Sequence, residues 1–213
     1  MIRKNKKNKK NNIILASGSP RRKEILEQVG LSFDVIISDV EEIITESEPK
    51  KIVLELSMQK AEDVYKKVLK ERFDNNQNDS TDGDKHIIIA ADTVVEVDNA
   101  IMGKPKDREE AYEMINLIQG RKHNVLTGVT LIICDGVNVP RKISFYESTE
   151  VEIYDMNSDE INQYIDSGES FDKAGAYAVQ GLFAAYVKGL NGDYYNVVGL
   201  PISRIIREFK SIF

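Results

Sequence analysis

Asp92 interrupts an otherwise apolar run, Ile87-Ile88-Ile89-Ala90-Ala91-Asp92-Thr93-Val94-Val95. An unpaired buried carboxylate is expensive, so Asp92 must meet a metal, a cation or a hydrogen-bond network. Its place at the end of an apolar strand suits a ligand, because ligands in open α/β sheets collect beyond the carboxyl ends of strands. The bland alternative is a capped turn. A second run, Ile13-Ile14-Leu15-Ala16-Ser17-Gly18-Ser19-Pro20-Arg21-Arg22-Lys23, suits a polyphosphate. Ser19 is placed to N-cap a helix, and Pro20 fits the first helical position. The start of that helix offers free N–H groups and partial positive charge, and Arg21 and Arg22 add forked cationic donors. The spacing of a P-loop is absent.

Three further sites carry weaker signals. Lys104 lies between glycine and proline in Gly103-Lys104-Pro105, which restricts where its ammonium points. Glu41 and Glu42 follow a strand-like segment; they read as a solvated acidic turn unless a metal is brought in. Gln180, in Ala176-Tyr177-Ala178-Val179-Gln180-Gly181, has the donor and acceptor needed to read the edge of a base. The chain has 2 His, and neither falls in a metal-ligand spacing with a cysteine or with the other, which argues against zinc.

Alternating elements must position these residues. Apolar runs predict strands at 13–16, 33–38, 87–90 (with 93–97 as its continuation or a new strand), 124–134 and 142–153, and short strands at 177–179 and 183–189. Helical spacing predicts helices at 20–29, 49–72, 107–118, 157–166 and 201–213. Asp107 with Glu110, and Asn157 with Glu160, form the pattern of capping boxes. Asp135-Gly136 is a hairpin signal. Crossovers in the first half and hairpins in the second predict an α/β domain with a mixed twisted sheet, flanking helices and two lobes around a central cleft.

The 213 residues suffice for one such domain, and 41% hydrophobic with 30% charged residues fits a globular chain. A net charge of -6 argues against nucleic acid as partner, so an anionic substrate needs a local cluster of cations. The 1 Cys, Cys134 in an apolar strand, reads as a buried hydrophobe and suits a reducing compartment. No apolar stretch is long enough for a membrane helix. Residues 1–12 form a Lys/Asn-rich tract expected to be a disordered extension, and a polar insertion is expected at about 74–85.

Taken in order, Ser17-Gly18-Ser19-Pro20-Arg21-Arg22, Val40-Glu41-Glu42, Gln59-Lys60-Ala61, Ala91-Asp92-Thr93-Val94-Val95, Gly103-Lys104-Pro105, Gly120-Arg121-Lys122-His123 followed by Val125 and Thr127-Gly128-Val129, Asp172-Lys173-Ala174-Gly175-Ala176-Tyr177 with Gln180-Gly181, and Asn196-Val197-Val198-Gly199-Leu200-Pro201 resemble the Maf family of nucleoside triphosphate pyrophosphatases. The resemblance spans residues 13–213 and implies an elongated, two-lobed fold like that of the ITP pyrophosphatases. It implies hydrolysis of a nucleoside triphosphate to monophosphate and pyrophosphate with a divalent cation, Mg²⁺ or Mn²⁺, in the cytoplasm, and a homodimer. Carried over by position, Asp92 is the proton acceptor. Arg21, Thr93 and Gln180 set nucleotide preference. Arg22, Lys60 and Lys104 clamp the triphosphate beside Ser17 and Ser19, and Glu41 and Asp92 are the candidate metal ligands. Glutamine at position 180 resembles the group acting on dTTP and UTP rather than the group acting on 7-methyl-GTP. A nucleotide-sensing regulator of cell division without turnover is the alternative from another class.

Overall fold

The computed structural model describes residues 12–74, 85–134 and 138–212. The Lys/Asn tract before Asn12, most of the polar insertion and the Asp135-Gly136 turn lie outside these residues. The chain runs β1 (Asn12–Leu15), α1 (Pro20–Gln28), β2 (Phe33–Val35), α2 (Pro49–Asp74), β3 (His86–Val97), β4 (Ala100–Met102), α3 (Arg108–Ile118), β5 (Lys122–Cys134), β6 (Arg141–Ile153), α4 (Ser158–Asp166), β7 (Val187–Asn191), α5 (Tyr194–Val198) and α6 (Ile202–Ile212). The strands form one seven-stranded mixed sheet in the order β2-β1-β3-β5-β6-β7, with β4 paired to β3 off this path. β1 is parallel to both β2 and β3, and the remaining pairs are antiparallel. The expected mixed α/β sheet with flanking helices is therefore present.

Side chains alternate across β3, and the two faces have different partners. Ile88 and Ala90 face α2, which packs Ala61, Val64 and Val68 against them. Ile87, Ile89 and Ala91 lie on the other face in a core closed by Leu26 of α1, Phe145 of β6, and Ile205 and Phe209 of α6. Further along that same face, Val95 and Val97 enter a second core with Val125, Val151, Ile115 and Phe183. Between these two cores the face is polar: Thr93 is paired in register with Thr127, and Thr149 lies opposite Val125. Thr127 and Thr149 are fully buried.

One edge of β3 is paired twice. β1 covers His86–Ile89, and β4 covers Val95–Val97. Between them, residues 90–94 have no strand partner on that edge. The gap opens because β1 ends at Leu15, where the chain turns through Ser17-Gly18-Ser19 into α1. β4 was not expected. Its signal was Asp98-Asn99, which adopts positive φ of 52° and 66° as a two-residue hairpin turn between Val97 and Ala100.

Several local expectations give way to tertiary contacts. β3 continues past Asp92 to Val97, so Asp92 sits in mid-strand rather than at a strand end. β2 stops at Val35 because β1, its parallel partner, offers only Ile13–Leu15. Residues 177–179 form no strand; Gly175 and Ala176, both at positive φ, turn the chain just before them. Residues 181–186 are 3-10 turns and β7 starts only at Val187, because Phe183 is drawn into an aromatic cluster with Tyr164 and Tyr177. The Asn157 capping box is complete, whereas at Asp107 only half forms: Asp107 accepts from the Glu110 N–H, but Glu110 takes the N–H of Lys106 instead.

His123, 3% exposed at the start of β5, shares a 2.6 Å hydrogen bond with the Tyr177 hydroxyl. Burial, helped by the charge of Arg121, lowers its pKa from 6.5 to about 4. The unfolded chain takes up this proton near pH 6.5 while the folded chain does not, so acid favours unfolding. Stability is full above pH 6.5 and falls by ~3 kcal/mol as the pH drops towards 4. In urea titrations at pH 7 and pH 4.5, His123→Gln should show a smaller loss of stability on acidification than the parent protein.

Candidate active site

A cleft of about 420 Å³ opens at the gap in the β3 edge. The Ser17–Arg22 turn forms one wall, Lys60 of α2 and Asp92 of β3 form the back, and Lys104 with residues 172–174 and 177–180 form the opposite side. Val179 and Val198 of the first core and Val95, Val125 and Tyr177 of the second contribute its apolar surface. The cleft thus lies where the two apolar halves of the sheet face are kept apart.

Asp92 shares the α2 side of β3 with Ile88 and Ala90, and there it meets Lys60. The Lys60 ammonium donates to Asp92 Oδ1 at 2.5 Å and pairs with Glu42 Oε1 at 2.8 Å. Lys60 and Asp92 are nearly covered, with side chains 18% and 14% exposed, so this pair is better shielded than a surface ion pair. The approach of α2 depends on Gly128, opposite Asp92 in the β3–β5 register, where any Cβ would collide with the Val53 carbonyl. Glu41 is exposed and does not line the cleft; its neighbour Glu42 makes the contact with Lys60.

The Ser17–Arg22 wall departs in two ways from a simple capped helix. Ser19 occupies the N-cap position, yet its side chain makes no capping bond. Its backbone N–H donates instead to Ser17 Oγ at 3.2 Å, and Pro20 leads the helix as expected. Arg22 points inward. Its Nε donates to Gly199 O at 2.8 Å, one terminal nitrogen to Ala91 O at 2.8 Å and Ser17 Oγ at 3.2 Å, and the other to Thr93 Oγ1 at 3.1 Å. These bonds leave it a single uncommitted N–H. Burial lowers its pKa, opposed by the charge of Asp92. Arg21 lines the cleft and contributes its charge to the field at Asp172.

The opposite wall adds a cation that sequence reasoning left without a role. Lys173 lines the cleft, and its ammonium donates to Glu169 O at 2.7 Å and to Asp172 at 2.5 Å. That hydrogen bond, reinforced by the charges of Lys173 and Arg21, holds the Asp172 carboxyl below its usual range. The Gly175 N–H donates to Gly103 O at 2.9 Å and ties this wall to the turn carrying Lys104. Gln180 follows on the same wall. The structure therefore brings Ser17, Ser19, Arg21, Arg22, Lys60, Asp92, Thr93, Lys104 and Gln180 around one cleft and leaves Glu41 outside it. Glu42, Lys173, Thr127 and Asn196 stand within the motifs of the resemblance, which gives none of them a role.

Asp92 and Glu42 offer hard oxygen donors converging on one cationic centre. Mg²⁺ and Mn²⁺ favour such oxygens, and Mg²⁺ commonly takes one or two carboxylates together with phosphate oxygens and waters. The residues fit such an ion. Among the described residues no cluster of three His, Cys, Asp or Glu forms a closed cage, and no helix is long and apolar enough to cross a membrane.

The model of the family described as Maf-like protein matches residues 12–212. A protein of Agathobacter rectalis named dTTP/UTP pyrophosphatase is 47% identical over 200 residues, covering 94% of this chain and 97% of its own. One of the same name from Lachnoclostridium phytofermentans is 48% identical, with 93% of each chain covered. Among solved structures, the Staphylococcus aureus Ham1 protein aligns with a TM-score of 0.43 at 16% identity, over 83% of this chain and 80% of that one.

Arg22 binds four acceptors from three segments, and lysine cannot span them. Arg22→Lys should lower stability by at least ~2 kcal/mol in urea unfolding, whereas Arg21→Lys should change it little.

Proposed function

The chain belongs to the Maf family, and from that premise we propose that it hydrolyses dTTP, UTP and modified pyrimidine nucleoside triphosphates to the monophosphate and pyrophosphate. Such an activity clears these nucleotides from the cytoplasmic pool before they reach nucleic acid. The observation that carries the reading is a shielded carboxylate, Asp92, set among cations from three walls of one cleft: Lys60, Arg21, Lys104 and Lys173. The names of the curated relatives supply the substrate class.

Each group has a job in water attack at the α-phosphorus. Asp92 accepts the proton of the attacking water, held in place by Lys60. Lys104, Lys60 and Arg21 neutralise charge on the departing pyrophosphate, with the start of α1 adding N–H donors. Arg22 keeps the Ser17 turn against β3, so its effect on phosphate runs mainly through position. Gln180 donates its amide N–H to a carbonyl on the base edge of uracil or thymine. A divalent cation, Mg²⁺ or Mn²⁺, held by Asp92 and the Glu41–Glu42 turn, supplies charge neutralisation at the phosphate oxygens when bound. In the present arrangement Glu42 is the nearer of the two glutamates. The assembly proposed is a homodimer.

The test is pyrophosphate release with Mg²⁺ from dTTP, UTP, CTP, 7-methyl-GTP and ITP. Turnover of dTTP and UTP is expected, with kcat reduced by at least about 10²-fold in Asp92→Asn while thermal stability is retained. Preference for 7-methyl-GTP would move the chain to that substrate group. Nucleotide binding without turnover would support a sensing role instead.

A further inference from the structure

Thr93 lines the cleft from the polar belt between the two cores, and its hydroxyl is locked into a chain of buried hydrogen bonds. Thr93 Oγ1 lies 2.9 Å from Thr127 Oγ1, and Thr127 Oγ1 lies 2.9 Å from the Asn196 carbonyl. Asn196 is fully buried and held in place: its side-chain amide donates to Val125 O at 2.8 Å and to Thr149 Oγ1 at 2.9 Å. On its other side Thr93 Oγ1 accepts from Arg22, which can only donate.

Counting protons fixes the direction of this chain. A carbonyl only accepts, so the contact from Thr127 to Asn196 needs the Thr127 proton. With that proton committed, the contact between the two threonines needs the proton of Thr93. The reverse order would leave Thr127 Oγ1 and the Asn196 carbonyl facing each other without a proton, in a site closed to water, which is costly. The Thr93 proton therefore points inward, towards Thr127. Towards the cleft, Thr93 has only accepting capacity left.

We infer that Thr127 is a specificity-positioning residue: it turns Thr93 into an acceptor that reads the imide N3–H of uracil or thymine and disfavours cytosine, whose N3 carries no proton. This rests on the pyrimidine triphosphatase reading above and names the atom of the base that is read. Removing the Thr127 hydroxyl while keeping its shape frees the Thr93 proton to turn into the cleft. Serine at the same position keeps the inward chain.

The experiment measures kcat/KM for UTP and CTP in the parent protein, Thr127→Val and Thr127→Ser. The parent and Thr127→Ser should prefer UTP, and in Thr127→Val the UTP/CTP ratio should fall by about tenfold. Equal losses for both nucleotides, an unchanged ratio, or a parent protein indifferent between UTP and CTP would overturn the inference. A second measurement needs no variant, so it stands even if Thr127→Val fails to fold. A halogen at C5 acidifies the imide, so kcat/KM for 5-bromo-UTP should decline at lower pH than that for UTP. Coincident pH profiles would overturn the inference. A parent protein that turns over no nucleoside triphosphate refutes the function reading instead, a result distinct from turnover without base discrimination.

Discussion

The Arg22 guanidinium, set into the cleft wall, is the contact on which the site depends. Its four hydrogen bonds reach Ser17 of the turn before α1, Ala91 and Thr93 of β3, and Gly199 at the end of α5. A forked, permanently charged donor can tie three remote segments at once, and few other side chains can. The Ala91 carbonyl it caps lies in the stretch of β3 that neither β1 nor β4 pairs on that edge. Arg22 therefore satisfies part of a strand edge whose opening creates the cleft. Gly199, at φ 114°, holds the chain end of α5 within reach; a Cβ there would crowd the Thr93 hydroxyl.

The polar belt explains why one face of the sheet carries two cores. Thr93, Thr127 and Thr149 are β-branched and suit strands, but each brings a hydroxyl that must be paired when buried. Asn196 pairs two of them, accepting from Thr127 and donating to Thr149. The same bonds pin α5 over the middle of the sheet, where Val197, Val198 and Gly199 line the cleft. Packing, polar satisfaction and the shape of the cleft are thus parts of one arrangement.

On the opposite face of β3 the constraint is electrostatic. Asp92 is tolerated in mid-strand because Lys60 reaches it from α2, and α2 approaches closely because Gly128 has no side chain. Glu42 shares the same ammonium from an exposed loop, so the resting carboxylate pair is held together by a protein cation. Adjacent residues of β3 point to opposite faces, so Asp92 joins the Lys60 pair while Thr93 joins the Arg22 network. Both line one cleft because the strand is uncovered along its edge at that point.

The sequence by itself determined the elements whose signals are local. The apolar runs of β1, β3, β5 and β6, the helical spacing of α2 and α6, and the Asn157 capping box all follow from nearest-neighbour geometry. So did the choice of Asp92 as a residue needing a partner, because the cost of burying a carboxylate depends on its own charge. The motif order, which places nine residues around one cleft, was legible only through resemblance. Tertiary structure decided the rest. Ser19 looked like a capping side chain, but Ser17 took its N–H. Arg22 looked like an outward phosphate ligand, yet carbonyls far apart in sequence, Ala91 and Gly199, turned it inward. Glu42 rather than Glu41 reached Lys60, a choice set by how the loop lies across α2. Short apolar runs at 177–179 and 183–186 lacked strand partners and packed as turns around Phe183. Apart from Ser17, only two residues from Ser19, the competing partners lie far along the chain and overrode a local preference worth only about 1 kcal/mol, and such partners leave no mark in the local sequence.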